Sequence, residues 1–435
     1  MKVCKFGGSS LADAAQIKKV KQIIEADPQR HYVVPSAPGK RHAADTKVTD
    51  MLIAYHCAAS CGEDASKLFG DIRQRFVEIR DGLGTKTDIE GMMDKIAADV
   101  KAGAGEDYTV SRGEFLNGAV MADYLGYDFI DPAEVIFFSE CGAYESEKTR
   151  TVMRGRLRQS SKAVIPGFYG SLPDGTVKTF SRGGSDITGA IVARAARADV
   201  YENWTDVSGV LMADPRIVDN PRVIRRITYR ELRELSYMGA TVLHEDAIFP
   251  VFKANIPINI KNTNDPAASG TMIVPNVDEK DTEIITGIAG KKGFTVISVE
   301  KANMNAELGF GRRVLSALEN NNIRFEHMPS GIDTLSVVLA NSEMDGKQPR
   351  LLDDMYNLCE PDSLEVFKGL ALIATVGRGM IRNVGVAARL FAALAKSNVN
   401  IRMIDQGSSE MNIIVGVDEN DFETAIKAIY NSFCD

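Results

Sequence analysis

The chain has 435 residues, of which 44% are hydrophobic and 25% are charged, and its formal net charge at pH 7 is −8. This length predicts two to four domains, and the evenly mixed, slightly acidic charge argues against nucleic acid or an anionic membrane as a partner. No apolar run approaches the roughly 18 residues that span a bilayer, and the first residues lack the apolar core of a secretory signal. We therefore expect a cytoplasmic protein.

Six cysteines are scattered along the chain without the spacing of a disulfide framework or a zinc site. Cys57 and Cys61, with His56 beside them, could share a helix face and hold a metal. Buried free thiols are the commoner arrangement, so we predict no metal bound by protein side chains.

The first 205 residues or so alternate short apolar runs with helical patterns. This alternation predicts an α/β fold in which helices flank an open, mostly parallel sheet. The segments HYVVPSAPG and AVIPGFYG are typical of buried strands that end at proline and glycine. From Thr49 to about Lys101 the sequence is helical, with Ile72, Phe76 and Ile79 at core-facing spacing, which indicates a helical segment added to the sheet.

The motif KFGGSS, residues 5 to 10, follows the first predicted strand. It is not a Walker A loop, because its lysine precedes the glycines. Gly7 and Gly8 nevertheless let backbone N–H groups approach an anion, and Lys5 adds a full positive charge beside the start of a helix. We predict that Ser9 or Ser10 opens this helix. The motif indicates a phosphate site, although a simple capped strand–turn–helix would look the same.

A second glycine pair occurs in FSRGGSDITG, residues 180 to 189. Arg182 can bind a carboxylate or phosphate through two N–H groups, and Asp186 lies at the start of the next predicted helix. Ser185 and Asp186 also suit ordinary helix capping. Two Gly-Gly anion loops in one sheet are harder to explain structurally than one.

Three further stretches carry polar residues whose role the pattern alone leaves open. VSRGEF places Glu114 in what we expect to be the first turn of a helix, where Ser111 and Glu114 also fit a capping box. Ser36 and Thr49 supply hydroxyls from loop sequences. NWTDVSGVLMADPRIV holds the only tryptophan, Trp204, which we expect in the core, together with Thr205, Asp206, Gly209, Asp214 and Arg216.

Beyond a polar acidic stretch at residues 276 to 284, the sequence repeats itself. A glycine-hydrophobic pair at Gly309-Phe310 recurs 76 residues later at Gly385-Val386, followed in each case by a helical pattern and two strands. In the first copy IRFEHMPSG is expected to be a strand. The second copy lacks a final strand and must complete its sheet within the chain or across a dimer, a choice that the sequence leaves open.

In this order, the stretches resemble the aspartate kinase branch of the amino-acid kinase family. The resemblance continues through GATVLHEDAIFPV and IPINIKNTNDPAASGT, and the repeats resemble the paired ACT modules that bind effectors in regulated aspartate kinases. It implies a catalytic domain over 1–280 with a helical segment at about 50–110, then ACT modules over 281–370 and 371–435. Because no dehydrogenase follows, the single-function, lysine-sensitive form is the most similar.

The resemblance implies the reaction of ATP, with Mg²⁺, and L-aspartate to ADP and 4-phospho-L-aspartate, the entry to lysine, threonine and methionine synthesis. It implies that Lys5, Arg182 and Asp186 are catalytic. The aspartate site would comprise Ser36, Thr49, Glu114, Phe168, Arg182, Ser185 and Asp186. The nucleotide site would comprise Lys5, Gly7, Gly8, Ser9, Thr205, Asp206, Gly209, Asp214 and Arg216.

For regulation, the resemblance implies an effector site at Met304, Gly309, Phe310, Glu326, Ser330 and Gly331. Glu326 stands where relatives carry aspartate, and an acidic residue there favours lysine over threonine as the effector. A homo-oligomer, dimeric through the ACT modules, is also implied. Two positions depart from the family pattern: Leu211 replaces a tyrosine and Thr241 replaces a lysine, and both positions contact nucleotide in relatives.

Two other functions remain possible from the residues alone. One is a kinase of the same fold acting on another acceptor, such as glutamate, acetylglutamate or uridylate. The other is a catalytically inactive amino-acid sensor that uses only the C-terminal modules.

Overall fold

The computed structural model describes residues 1–181, 183–240, 243, 245–277 and 283–434, with only the backbone for residues 245–248. Its contacts divide the chain into two units. The first unit comprises Met1–Val210, Val223–Tyr229 and Val242–Val277, and the second comprises Leu211–Arg222, Arg230–Thr241 and Asp278–Asp435.

The first unit is built on an eight-stranded sheet with the order β3-β4-β2-β1-β7-β9-β10-β8. All neighbouring strands are parallel except β9 and β10, so the predicted mostly parallel sheet is confirmed. A separate hairpin joins β5 and β6. The strands are β1 (Lys2–Phe6), β2 (Arg30–Pro35), β3 (Asp128–Phe129), β4 (Ala163–Val164), β5 (Tyr169–Ser171), β6 (Val177–Thr179), β7 (Val200–Thr205), β8 (Arg226–Thr228), β9 (Ile258–Asn262) and β10 (Thr271–Val274).

Helices flank this sheet, and three of them form the predicted helical segment. In that segment Ile72, Phe76 and Ile79 are buried in one apolar core with residues of the sheet, which confirms the predicted core face. The helices of the first unit are α1 (Ala14–Glu25), α2 (Val48–Ser60), α3 (Ser66–Leu83), α4 (Ile89–Lys101), α5 (Glu106–Leu125), α6 (Ser146–Leu157), α7 (Gly184–Ala196) and α9 (Glu245–Lys253).

Two predicted helix starts are wrong. The first helix begins at Ala14, because the Asp13 carboxylate caps it by accepting from the Gln16 N–H at 2.9 Å, and Ser9 lies in a preceding 3₁₀ turn, Gly8–Leu11. Helix α5 begins at Glu106, so Glu114 lies in mid-helix. No capping box forms, since the Ser111 hydroxyl donates to the Tyr108 carbonyl instead.

The cysteines of α2 also differ from expectation. Cys57 and Cys61 are exposed, not buried, because they lie on the solvent side of the helix. Among the described residues, no three acidic, histidine or cysteine side chains are grouped as a metal site would require. Trp204 is 1% exposed and stacks on Phe6, which confirms its expected place in the core.

The second unit contains a five-stranded antiparallel sheet with the order β12-β11-β13-β15-β14. Its strands are β11 (Gly287–Glu300), β12 (Thr334–Ala340), β13 (Ser363–Val376), β14 (Ile401–Asp405) and β15 (Asn412–Asp418). Its helices are α10 (Phe310–Asn320), α11 (Asn341–Met344), α12 (Gln348–Cys359), α13 (Val386–Lys396) and α14 (Phe422–Cys434), with α8 (Tyr229–Tyr237) contributed from residue 230 onward. No helix in the described part of the chain is long and apolar enough to cross a membrane.

Two long strands, β11 and β13, join the sequence repeats into one sheet. The second half of β11, from Phe294, pairs with β12 and with the first half of β13. Its first half, Gly287–Lys291, pairs with Val376–Leu372 of β13, which on its other side pairs with β15. The first half of β11 therefore supplies the strand that the second repeat lacks, so the sheet is completed within the chain.

The prediction that the segment IRFEHMPSG forms a strand is wrong, because the segment is irregular. It pairs with β12 only through isolated bridges, His327 with Val338 and Ser330 with Leu335. Pro329 lies between these bridges, and its missing N–H removes one ladder hydrogen bond.

Candidate functional site

A cavity of about 230 Å³ lies beside β1, β2 and the turn that opens α7 in the first unit. The carboxyl ends of the parallel strands meet at this edge of the sheet, where ligands of open α/β folds bind. Residues from six separate stretches of the sequence surround the cavity. They are Lys5, Ser36, Thr49, Glu114, Phe168, Gly183, Gly184, Ser185 and Asp186.

Lys5 lies near the end of the central strand β1, between β2 and β7. Its Nζ is 2.6 Å from the Asp186 Oδ1 and 3.4 Å from the Asn203 Oδ1, and the residue is 8% exposed. The Asn203 amide donates to the same Asp186 oxygen at 2.9 Å. The ammonium is thus held at the cavity by one carboxylate and one amide oxygen.

Gly7 and Gly8 form the turn after Lys5, and they are partly exposed. A Cβ on Gly8 would lie 2.9 Å from the Ala37 carbonyl oxygen, and a Cβ on Gly39 would lie 2.5 Å from the Gly8 carbonyl carbon. The Gly39 N–H donates to the Gly8 carbonyl at 2.8 Å. Glycine at positions 8 and 39 therefore lets the turn after β1 and the loop after β2 touch backbone to backbone.

Glu114 faces the cavity from the middle of α5 and is 5% exposed. Burial raises the pKa of this carboxyl to about 8, although the N–H of Ala37 and the charge of Arg112 act in the opposite direction. Its Oε2 is buried, and no described residue hydrogen-bonds to it. A carboxyl held in this way is ready for a cationic ligand group.

Phe168 lines the cavity from a turn after β4, in a backbone conformation that side-chain-bearing residues seldom adopt, with φ at 85°. Its N–H donates to the Thr188 hydroxyl at 3.0 Å, which anchors the turn on α7. A Cβ on Gly184 would lie 2.4 Å from the Phe168 ring, so the ring packs directly on the glycine that begins α7. Strained residues of this kind concentrate at ligand sites.

Arg182, predicted to be catalytic, lies outside the described residues, as does Thr241. The remaining nucleotide candidates fall in both units. Thr205 ends β7 and donates to Asp206 at 3.1 Å, and Gly209 has φ at 124° with no room for a Cβ beside Thr271. Asp214 and Arg216 belong to the second unit, where they pair with each other and Arg216 lowers the pKa of Asp214.

Sequence reasoning missed Asn203 and Asn117, two amides that hydrogen-bond to residues lining the cavity. The Asn117 amide donates to the Ser36 carbonyl at 2.7 Å, and Asn117 is fully buried. Asn117 follows Glu114 by three residues, on the same helix face. Asn203 lies directly beside Lys5 in the parallel register of β1 and β7. For Asn203 the available signal was an amide beside Trp204 near the end of a strand, shortly before the Thr-Asp pair; Asn117, in mid-helix, gave no such signal.

The predicted effector residues lie in the second unit, on two adjoining loops. Met304 is buried in a 3₁₀ turn, and Gly309, with φ at 81°, precedes α10, whose first residue Phe310 is buried. The Asn305 N–H donates to the Ile332 carbonyl at 3.0 Å, so this turn adjoins the loop that carries Ser330 and Gly331.

Glu326 lies on the same irregular segment, four residues before Ser330. Its carboxylate accepts a hydrogen bond from the Tyr237 hydroxyl at the end of α8, and the Tyr237 carbonyl accepts from Lys291. Burial and the Glu326 carboxylate together raise the pKa of Tyr237 to about 12.

Comparison with known proteins gives a consistent result. Residues 1–262 match the amino acid kinase family, and residues 373–433 match the ACT domain. The chain is 41% identical to "Aspartokinase 3" of Bacillus subtilis over 100% of this chain and 98% of that protein.

Solved structures agree with this match. An aspartate kinase from Clostridium acetobutylicum superposes with a TM-score of 0.91 at 53% identity and covers 99% of both chains. Two structures of Escherichia coli aspartokinase III each superpose with a TM-score of 0.74 and 100% coverage of both chains. One is a complex with aspartate and ADP, aligned at 26% identity, and the other is a complex with lysine and aspartate, aligned at 25% identity. The chain belongs to the amino acid kinase family, in its aspartate kinase branch.

Proposed function

We propose that the cavity at the end of β1 binds L-aspartate and that Lys5 neutralises the phosphoryl group transferred to it from ATP. One observation carries this proposal: among the residues that the structure describes, one ammonium, Lys5, and two acids, Glu114 and Asp186, surround the same small cavity. Acids suit the ammonium of an amino-acid substrate, and the lysine suits an anion.

The chemistry needs no general base. The β-carboxylate of aspartate has a pKa near 4 and is already a nucleophilic anion at neutral pH. The barrier is the approach of this anion to the negatively charged γ-phosphate, so positioning and charge neutralisation supply the catalysis. Lys5 adjoins Gly7, where a Cβ would lie 3.5 Å from the lysine Nζ. The Gly7 N–H already donates to the Trp204 carbonyl at 2.9 Å, so the N–H groups of Gly8 and Ser9 are the ones that would meet a phosphate together with the lysine.

We further propose that Mg²⁺ enters on the ATP phosphates, with water completing its coordination. Mg²⁺ usually keeps several waters and takes few protein ligands when it accompanies a nucleotide. Near Lys5 the cavity offers the Asp186 carboxylate and the neighbouring hydroxyl of Ser185, a set of oxygen donors compatible with such an ion. Bound there, the ion would supply further neutralisation of the phosphate charge.

The test is ADP release with purified protein, ATP and Mg²⁺, measured with aspartate, with glutamate and without acceptor. We expect ADP release that depends on aspartate. The acyl phosphate product should react with hydroxylamine and be detected as aspartyl hydroxamate. Turnover with another acceptor but not with aspartate would show that the cavity binds that acceptor instead. No turnover with any acceptor would favour an amino-acid sensor.

For the second unit, we propose that a cationic amino acid, lysine, binds near Glu326 and inhibits the kinase. The support is the carboxylate of Glu326 on the segment that carries Ser330 and Gly331, which adjoins the turn of Met304, together with the lysine complex of E. coli aspartokinase III. Any inhibition requires that the effector bind the inactive arrangement more tightly than the active one.

Glu326→Ala is expected to raise the lysine concentration for half-inhibition by about 10-fold or more, since a hydrogen bond to a charged group contributes roughly 1.5–3 kcal/mol. Uninhibited kcat should stay near wild type. Tyr237→Phe is the matched variant: it removes the internal donor and frees Glu326, so lysine should inhibit at lower concentration. Titration of initial rates with lysine, alone and with threonine, measures both. Unchanged sensitivity in Glu326→Ala would contradict the assignment.

We also propose that the protein is a cytoplasmic homo-oligomer that dimerises through the second unit. Leu308 and Ile332 of that unit are 96% and 69% exposed on two adjoining loops, and Val384 is 106% exposed at the corresponding place in the second repeat. Exposed apolar side chains that lie together mark interaction surfaces. Sedimentation equilibrium of wild type and of Leu308→Glu would test this. A mass of one chain for wild type would contradict it.

A further inference from the structure

Arg75, on α3 of the first unit, is a buried cation that the proposed site does not use. Its side chain is 3% exposed. Burying a guanidinium costs several kcal/mol, and a well-packed apolar residue often stabilises a fold as well or better. The position of this charge therefore points to a use other than stability.

The guanidinium joins two backbone segments. Its Nη2 donates to the Gly39 carbonyl at 2.6 Å and to the Ala12 carbonyl at 3.1 Å. Ala12 directly follows the 3₁₀ turn that contains Gly8. Gly39 belongs to the loop between β2 and α2, residues 36–47, which we call the acceptor loop because Ser36 begins it and Thr49 follows it.

The acceptor loop has few other attachments in its second half. Residues 40–44 are exposed and lack regular structure. Arg75 Nη1 donates to the Asp45 carboxylate at 2.8 Å, and the exposed Arg41 binds the same carboxylate. Arg41 and Arg75 together hold the pKa of Asp45 far below its usual range. Arg75 thus holds the loop at both Gly39 and Asp45.

The first half of the loop reaches the cavity. Ser36 lines the cavity, the Asn117 amide donates to the Ser36 carbonyl at 2.7 Å, and the Gly39 N–H donates to the Gly8 carbonyl at 2.8 Å. A shift of the loop would move the aspartate-binding side chains relative to the phosphate-binding turn. Phosphoryl transfer is sensitive to such a shift, because a displacement of about 1 Å can cost roughly 100-fold in rate.

We propose that Arg75 is a positioning residue for phosphoryl transfer, fixing the acceptor loop against the turn that holds the phosphates. The inference rests on the proposed function of that turn and that loop. Arg75 does not line the cavity, and it acts through the carbonyls of Ala12 and Gly39 and the carboxylate of Asp45.

The experiment compares Arg75→Met, Arg75→Lys and a matched control, Arg41→Met, in the full chain. Arg41 shares the Asp45 carboxylate but no contact joins it to either carbonyl among the described residues. We expect kcat to fall about 10- to 100-fold in Arg75→Met and less in Arg75→Lys, which retains a donor cation, with KM for ATP changed less than 3-fold. Arg41→Met should stay within about 2-fold of wild type.

The ratio of ADP released to aspartyl hydroxamate formed, which we call the coupling ratio, distinguishes a loss of positioning from a loss of folded protein. With the loop displaced, ADP released per aspartyl hydroxamate formed should rise above the wild-type ratio in Arg75→Met, which simple loss of folded protein would not cause. If Arg75→Met does not fold, Arg75→Lys and Asp45→Asn carry the same measurement. Wild-type kcat and coupling in the folded variants, or an equal loss in Arg41→Met, would overturn the proposal. Wild-type protein without aspartate-dependent turnover would instead overturn the proposed function, and the positioning role with it.

Discussion

Replacing Lys5 by alanine is expected to lower kcat by roughly 100- to 1,000-fold, the size of effect seen when one preorganised donor to a developing anion is removed. The ammonium is buried beside the cavity, where the low dielectric strengthens its attraction for a phosphoryl group. The variant loses the one cation that the structure describes at this cavity.

The fold should survive this substitution, because Asn203 continues to donate to Asp186 at 2.9 Å and the surrounding strands are unchanged. Steady-state kinetics with saturating aspartate and ATP give kcat, and thermal unfolding followed by circular dichroism verifies the fold. Lys18→Ala, an exposed lysine on α1, is the matched control and should behave as wild type. A kcat near wild type in Lys5→Ala would remove Lys5 from the phosphate role.

The two glycine motifs could be located from the sequence because their physics is local. Lys5, Gly7 and Gly8 follow a short apolar strand, and Asp186 begins a helix, as the pattern indicates. That Lys5 and Asp186 lie 2.6 Å apart is not local: it depends on the parallel pairing of β1 with β7 and on the packing of α7. No spacing along the chain records that distance, and only the family resemblance placed both residues in one site.

The predicted start of α5 was wrong because two capping signals compete along this stretch. Ser111 and Glu114 fit a capping box, yet Gly105 followed by Glu106 and Asp107 is the start that forms. An acidic first turn complements the helix dipole there, and starting early buries the apolar and small residues that follow. The error matters for function, because a Glu114 that is buried in mid-helix has no capping role and faces the cavity.

The sequence did not show which strand completes the sheet of the second repeat, and the reason is different. The stretch Gly290 to Gly293 has two lysines between its glycines, a composition typical of a turn and not of a strand interior. In the structure β11 runs through it from Gly287, with an irregular register between Lys291 and Phe294. A bulge of this kind keeps two strand halves in one element, and neighbouring strands decide whether it forms.

Glu114 should couple aspartate binding to proton release. Its pKa of about 8 in the ligand-free protein exceeds the value near 4.3 of an unfolded chain, so the folded state holds a proton that the unfolded state has lost. Between about pH 4.3 and pH 8 this carboxyl therefore destabilises the ligand-free protein increasingly as pH rises. The ammonium of bound aspartate favours the carboxylate, lowers this pKa and expels the proton, so aspartate affinity should rise with pH in the same window.

Calorimetric titration with aspartate in two buffers of different ionisation enthalpy, at pH 7, should show release of up to about one proton by wild type. Glu114→Gln keeps the shape of the side chain, should abolish the release, and should weaken aspartate binding by roughly 10- to 100-fold, as loss of a charged hydrogen bond predicts. Glu106→Gln, exposed in the first turn of the same helix, should retain both affinity and release. Equal proton release by Glu114→Gln and wild type would show that another group titrates, and would place the ammonium of aspartate away from Glu114.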